Sequence, residues 1–162
     1  MLRPTTDRVR EAVFNILGAR IAFEKAEVLD LFAGTGALGI EALSRGAGFC
    51  TFVESDRRVA AVIAENIRAL DIGSRARLVT RDAMKFLGQT GSRFDLIFAD
   101  PPYASAVFDR LAAEVFGRGM LRPGGLLVLE HSSAMKSVGT GAGSPVVERV
   151  FGETGISIFQ AG

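Results

Sequence analysis

The sequence predicts an α/β fold: a doubly wound, mostly parallel seven-stranded sheet closed by a terminal antiparallel hairpin. Three observations carry this. Short apolar runs alternate with helix-period segments five times along the chain. Phe94–Ala99 is apolar nearly throughout, as a strand buried on both faces should be. The last stretch, Val146–Phe159, reads as two strands joined at Gly152–Gly155. Crossovers in such a sheet are right-handed, and ligands bind beyond the carboxyl ends of the strands at the switch point.

The elements follow in order. Thr5 and Thr6 precede a helix over Asp7–Leu17, where Val9, Val13, Ile16 and Leu17 share a face and Gly18 stops it. Glu27–Ala33 reads as a strand feeding a tight Gly-Thr-Gly turn. A helix over Ala37–Arg45 closes at Gly46, and Phe49–Glu54 is a second strand. Ser55 can cap a helix over Asp56–Leu70, whose apolar positions are Val59, Val62, Ile63 and Ile67. Ala76–Thr80 is a third strand, Asp82–Leu87 a short helix and Phe94–Ala99 the fourth strand. A helix over Ser105–Phe116 and a fifth strand over Leu126–Glu130 complete the alternation. Ser132–Pro145, rich in Gly and Ser, is expected to be a mobile loop.

Length and composition bound the function. The 162 residues amount to one domain, with 48% hydrophobic and 23% charged residues, and no repeat is visible. The net charge of +1 shows no strongly basic nucleic-acid binder in the total. Sixteen of the 19 basic residues are Arg, a bias that phosphate recognition and a GC-rich genome both produce. The single cysteine, Cys50, excludes an intramolecular disulfide and a cysteine-cluster zinc site. No stretch is apolar enough for a membrane span, and Met1–Arg8 lacks the apolar core of a secretory signal. A cytoplasmic setting, no membrane partner and no bound metal are therefore expected.

The chemistry gathers at the strand ends. After the first strand, Gly34, Gly36 and Gly39 satisfy G-x-G-x-x-G, a weak signal that also admits a nicotinamide-dependent oxidoreductase. The glycines let backbone approach a ligand closely. Asp30, four residues before the first glycine, disfavours a pyrophosphate and suits a cationic or hydrogen-donating group, such as the amino-acid end of S-adenosylmethionine. Glu54, ending the second strand, is placed to accept both hydroxyls of a ribose. Asp82, after the third strand, reads equally as an acceptor for an adenine amine, with the following Ala83 backbone donating to the ring, and as a helix N-cap.

The fourth strand ends in Asp100-Pro101-Pro102-Tyr103. Two prolines stiffen the loop and hold the Asp100 carboxylate near the Pro101 carbonyl. Two acceptors without a donor suit a planar NH₂ group on a nucleobase, and Tyr103 offers a ring on which that base stacks. Accepting both hydrogens turns the nitrogen lone pair toward an electrophile. The expected reaction is in-line transfer of a methyl from a sulfonium to an exocyclic amine, with the protein contributing mostly position. His131 is expected to be structural, and the Arg57–Arg81 basic cluster to be a solvated face.

These residues resemble the RsmD family of small-subunit (16S) rRNA guanine-N2 methyltransferases. The resemblance lies in the stretch from Arg3-Pro4-Thr5-Thr6-Asp7-Arg8 to Leu17, in Asp30–Gly46, in Asp100–Tyr103 and in Phe151–Gly155 before the last strand. It implies a Rossmann-like class I methyltransferase fold over 1–162, with 1–18 a helical segment near the active-site mouth. It further implies that Asp30, Phe32, Gly34, Gly36, Glu54, Asp82 and Ala83 line an S-adenosylmethionine pocket. Asp100, Pro101, Pro102 and Tyr103 would grip the target guanine. Arg3, Arg8 and Arg10 would meet RNA backbone. The first twenty residues carry Arg3, Arg8, Arg10 and Arg20 against Asp7 and Glu11, a local +2 that the total hides. The expected partner is ribosomal RNA or the small subunit, and the chain is expected to act as a monomer. Amino methylation of DNA adenine or protein glutamine, and a non-catalytic RNA-binding assembly factor, are the alternative readings.

Overall fold

The computed structural model describes residues 6–102, 105–136 and 138–162. In chain order they form α1 (Asp7–Gly18), β1 (Glu27–Leu31), α2 (Ala37–Ser44), β2 (Phe49–Glu54), α3 (Arg57–Ala69) and β3 (Ala76–Thr80). There follow α4 (Ala83–Gln89), β4 (Phe94–Ala99), α5 (Ser105–Gly117), β5 (Leu121–Ser132), β6 (Val147–Phe151) and β7 (Thr154–Gln160). The seven strands make one sheet in the order β3-β2-β1-β4-β5-β7-β6. Pairing is parallel from β3 to β5 and antiparallel through β7 and β6, as expected. The chain winds outward from β1 to β3 and then returns to β4 beside β1, so the switch point lies between the carboxyl ends of β1 and β4.

Two apolar layers sandwich the sheet. Val13, Phe14 and Leu17 of α1, Leu43 of α2 and Ile63 of α3 pack with Val28, Phe52, Phe98 and Val128 on one face. Phe86 and Leu87 of α4 and Phe108 and Leu111 of α5 pack with Leu29, Val53, Ile97 and Leu129 on the other. The alternation follows from the two-residue period of a strand. Helix α1 turns Phe14 fully inward while Ile16, expected on the buried face, is only partly covered.

Four local expectations are corrected. Asp56, not Ser55, caps α3, accepting from the backbone N–H groups of Arg58 and Val59. Val62, expected on the apolar face of that helix, is 42% exposed. Strand β5 begins at Leu121, because Leu121 pairs with Phe94 ahead of the Pro123-Gly124-Gly125 segment, and an irregularity there absorbs the register change before Leu96 meets Leu126. The segment expected to be a mobile loop packs instead. Val138 is buried, and a Cβ at Gly141 would come within 2.9 Å of the Asp109 carbonyl and the Ala113 Cβ of α5. Small residues that read as flexible serve here for close approach.

Candidate active site

Strand β1 delivers Asp30 and then a glycine turn to the switch point. Phe32 (φ 55°), Gly34 (φ 59°) and Gly36 (φ 81°) all lie in the left-handed region. That is routine for glycine and costly for Phe32, so surrounding structure must hold it there. Several bonds do so for the turn. Ala33 donates to the Val53 carbonyl, Gly36 to the Ala33 carbonyl, and Asn66 Nδ2 to the Thr35 carbonyl at 3.1 Å. The third glycine of the motif serves packing: a Cβ at Gly39 would stand 2.4 Å from the Phe52 ring and 2.7 Å from Cys50 Sγ. That contact lets α2 lie directly on β1 and β2.

Asp30, expected at the strand end as a partner for a cationic or hydrogen-donating ligand group, is 2% exposed. Its Oδ2 accepts the Gly39 N–H at 3.0 Å, tying β1 to the first turn of α2. Parallel register explains its neighbours. Asp30 is level with Phe52 of β2 and Phe98 of β4, and Phe98 is level with Val128 of β5. Two residues further on, the same face carries Glu54, Asp100 and Glu130. A row of three carboxylates thus stands one layer beyond Asp30, at the carboxyl edge of β2, β4 and β5. Burial, with added repulsion from Asp100, Glu54 and Glu130, outweighs the Gly39 hydrogen bond and raises the Asp30 carboxyl from 3.8 to about 8. Burial, then the Asp30 charge, likewise pushes the Cys50 thiol well up, so this cysteine is inert packing, as its apolar run implies.

Glu54 is where the sequence placed it, at the end of β2, and it is also a strut. Its Oε1 accepts from Gly34 N–H and its Oε2 from Asp56 N–H, both at 3.0 Å. An ionised carboxylate has about four lone-pair sites, so it retains capacity for hydroxyl donors. Asp82 is the N-cap of α4, accepting from Lys85 N–H at 3.0 Å, and Ala83 behind it is buried. Asp100 is half-buried, Pro101 buried and Pro102 exposed. Tyr103 and Arg3 lie outside the described residues. Arg8 is exposed, whereas Arg10 is engaged by Asp7 at 2.7 Å and Glu41 at 3.6 Å. His131 is structural: its ring bonds the Ser132 carbonyl and the Ser157 hydroxyl, and meets Phe108 edge-on. Arg75 of the basic cluster is no solvated side chain, since it donates to the carbonyls of Leu43 and Ala47 at the end of α2.

Sequence reasoning missed two contributors. Glu130 closes the carboxylate row, and a charge ending an otherwise apolar strand was its visible signal. Asn66, which pins the glycine turn from α3, had no such signal. A separate cavity of about 390 Å³ flanks α2, lined among others by Arg10, Ile40, Glu41, Leu70 and Arg75. It shares only Arg10 with the expected site residues. Among the described residues, no cluster of three or more His, Cys, Asp or Glu could hold a metal ion, and no helix is long and apolar enough to cross a membrane.

A glycine turn beside a floor of carboxylates is an acceptor-rich cradle. It fits a ligand that is cationic and rich in hydroxyl and amine donors, and opposes a pyrophosphate.

The chain matches the family model described as conserved hypothetical protein 95 over residues 1–160. It is 37% identical, over 98% of its length, to "Putative rRNA methyltransferase YlbH" of Bacillus subtilis, and the match covers 87% of that protein. It is 43% identical, over 80% of its length, to the ribosomal RNA small subunit methyltransferase D of Escherichia coli K12, covering 64% of that protein. Among solved structures, "Putative methyltransferase yhhF" from Escherichia coli is similar at a TM-score of 0.86 and 35% identity, over 99% of this chain and 88% of that one.

Proposed function

The chain belongs to the RsmD family, and on that premise we propose that it is an S-adenosylmethionine-dependent methyltransferase acting on the N2 amine of a guanine in small-subunit ribosomal RNA. The observation that supports the reading is that the residues expected to hold the cofactor and those expected to hold the target amine lie on either side of the switch point. On one side stand the glycine turn, Asp30 and Glu54; on the other stands Asp100 with its proline loop.

S-adenosylmethionine, when bound, supplies an electrophilic methyl. The chain's own residues do the rest. Glu54 accepts ribose hydroxyls, Asp82 and the backbone of Ala83 address the adenine, and the backbone at Phe32, Gly34 and Gly36 shapes the wall. Asp100 and the Pro101 carbonyl accept the two hydrogens of the target amine, and Tyr103 and Pro102 face the base. Asp100, or water beside it, would take the proton that the target amine loses once it has accepted the methyl. A base inside a stack cannot present its amine in this way, so the target is unpaired or flipped. Arg8 and the Arg3 end of the chain contribute backbone contacts at the mouth, near the 1–18 segment. Arg10 contributes less, because its guanidinium is held by Asp7 and Glu41. The chain works in the cytoplasm as a monomer.

The test is transfer of labelled methyl to undermethylated ribosomal RNA or small subunits, with DNA and protein acceptors alongside, followed by mass-spectrometric mapping of the product. Label in N2-methylguanine is the expected result. Label only in DNA or protein, or none at all, overturns the reading.

A further inference from the structure

The glycine turn after β1 cannot hold its shape by itself. Gly34 and Gly36 flank Thr35, and glycine takes positive and negative φ about equally readily. The peptide between Thr35 and Gly36 therefore has more than one accessible orientation. In the folded chain both ends of that peptide are tied. The Gly36 N–H donates to the Ala33 carbonyl at 2.8 Å, and the Thr35 carbonyl accepts from Asn66 Nδ2 at 3.1 Å. The first tie is internal to the turn. The second comes from α3, 31 residues away in sequence. Only the Nδ2 end of an amide can face a carbonyl, so Asn66 acts here as a donor. One helical turn earlier, Ile63 Cγ2 lies 3.5 Å from where a Cβ on Gly36 would stand, so α3 meets the turn at both residues. Glu54, just before α3, takes the Gly34 N–H. The unit running from the end of β2 through α3 thus grips the turn from outside.

We propose that Asn66 is a positioning residue for cofactor binding: by holding the Thr35 carbonyl, it keeps the glycine turn in the conformation that accepts the cofactor. The inference rests on the proposed S-adenosylmethionine reading, and deepens it by assigning a residue that sets affinity for that ligand without belonging to the motif. The physical basis is preorganisation. Apparent affinity falls in proportion to the fraction of protein in the competent conformation. With the bond to Asn66 removed, the two glycines let the turn sample other conformations, and the ligand must select the competent one. A neutral hydrogen bond has a net worth equivalent to about a twofold to tenfold change in an equilibrium constant. Nothing in this effect depends on the transferred methyl, so the cofactor and its demethylated product are weakened alike.

The test is calorimetry on the full chain with S-adenosylmethionine and, separately, S-adenosylhomocysteine, joined to steady-state methyl transfer. Asn66→Ala should bind both ligands about twofold to tenfold more weakly than the parent, by the same factor for each. The KM for cofactor should rise by that factor while kcat holds, because the saturated site is already in the competent conformation. Asn66→Asp keeps the size and sets an acceptor against the Thr35 carbonyl, so it should bind at least as weakly. It also carries the test if the alanine variant does not fold. Arg75→Met is the control for a purely structural loss. Its bonds to the Leu43 and Ala47 carbonyls lie at the far end of α2 from the turn, so it should lower stability and leave both affinities at the parent value. Parent-like affinity in a folded Asn66 variant overturns the inference and leaves the cofactor reading standing. Equal weakening by Arg75→Met overturns it too, since lost stability then accounts for the effect. Binding of neither ligand by the parent chain overturns both the inference and the cofactor reading.

Discussion

Replacing Gly39 with Ala tests whether the glycine motif is held by packing as much as by ligand approach. The added methyl would stand 2.4 Å from Phe52 Cε1, 2.7 Å from Cys50 Sγ and 2.9 Å from Phe52 Cζ. Normal carbon contacts lie at about 3.5–4.0 Å, so the overlap exceeds an ångström. Phe52 and Cys50 are fully buried and have no space into which to retreat. Overpacking of this kind costs about 1–3 kcal/mol, and the severity here argues for the upper end. Alanine in place of glycine inside a helix returns up to about 1 kcal/mol. The net loss is therefore about 2 kcal/mol, or a melting temperature lower by about 4–8 °C for a domain of this size. Gly88 in α4 is the control, since nothing lies within 4 Å of its Cβ position and its φ is not positive. Gly88→Ala should be neutral or mildly stabilising. Adding Phe52→Leu to Gly39→Ala should recover part of the loss, because the ring makes two of the three close contacts. Urea unfolding measures the parent and all three variants. If Gly39→Ala is as stable as the parent, helix propensity alone governs the position and the packing argument is wrong.

Three further outcomes are expected. Arg75→Met should lower stability by about 1–3 kcal/mol in urea unfolding, because the guanidinium donates to the Leu43 and Ala47 carbonyls at 2.8 and 2.6 Å and those acceptors lose a charged partner. Asp100→Asn should lower kcat for methyl transfer by about 10²–10³-fold, because an amide sets a donor against the donors of the target amine; retained full activity in a steady-state assay would remove Asp100 from the site. The third concerns pH. The folded-state value of Asp30 is raised from 3.8 to about 8, so the folded protein holds the extra proton between those limits. The Asp30 contribution to stability is therefore complete below about pH 4 and is lost as pH rises toward 8, at up to about 1.4 kcal/mol per pH unit. Asp30→Asn should lack this slope when unfolding free energies are compared from pH 5 to pH 8, and an identical slope in the variant would assign it elsewhere.

Some features were legible because their cause is local. The alternation of apolar runs and helix-period segments marks β2, β3 and β4 to the residue; β2 and β4, buried on both faces, show themselves as nearly apolar stretches, whereas the edge strand β3 is only partly covered. Asp82, which the sequence left equally a cap and a ligand acceptor, does cap the helix it stands just before. The glycine turn and the Asp100 loop are short motifs whose backbone demands are written in adjacent residues.

Other features depend on which distant segments meet. Nothing near Asp30 in the chain says that it is buried, because its donor is nine residues away and its repelling neighbours lie in or just after three other strands. Arg75 reads as a surface charge until α2 brings two carbonyls beneath it, 28 and 32 residues away in sequence. Arg10 reads as a phosphate ligand until Glu41 of α2 arrives beside it. Thus the sequence by itself determined the order of the elements, the motifs and the end of the sheet where chemistry occurs, all products of near-neighbour sterics and periodicity. Only the tertiary structure decided the charge state of Asp30 and the free or committed state of each arginine. Those follow from desolvation and Coulomb interactions, which depend on every group within a few ångströms whatever its distance along the chain.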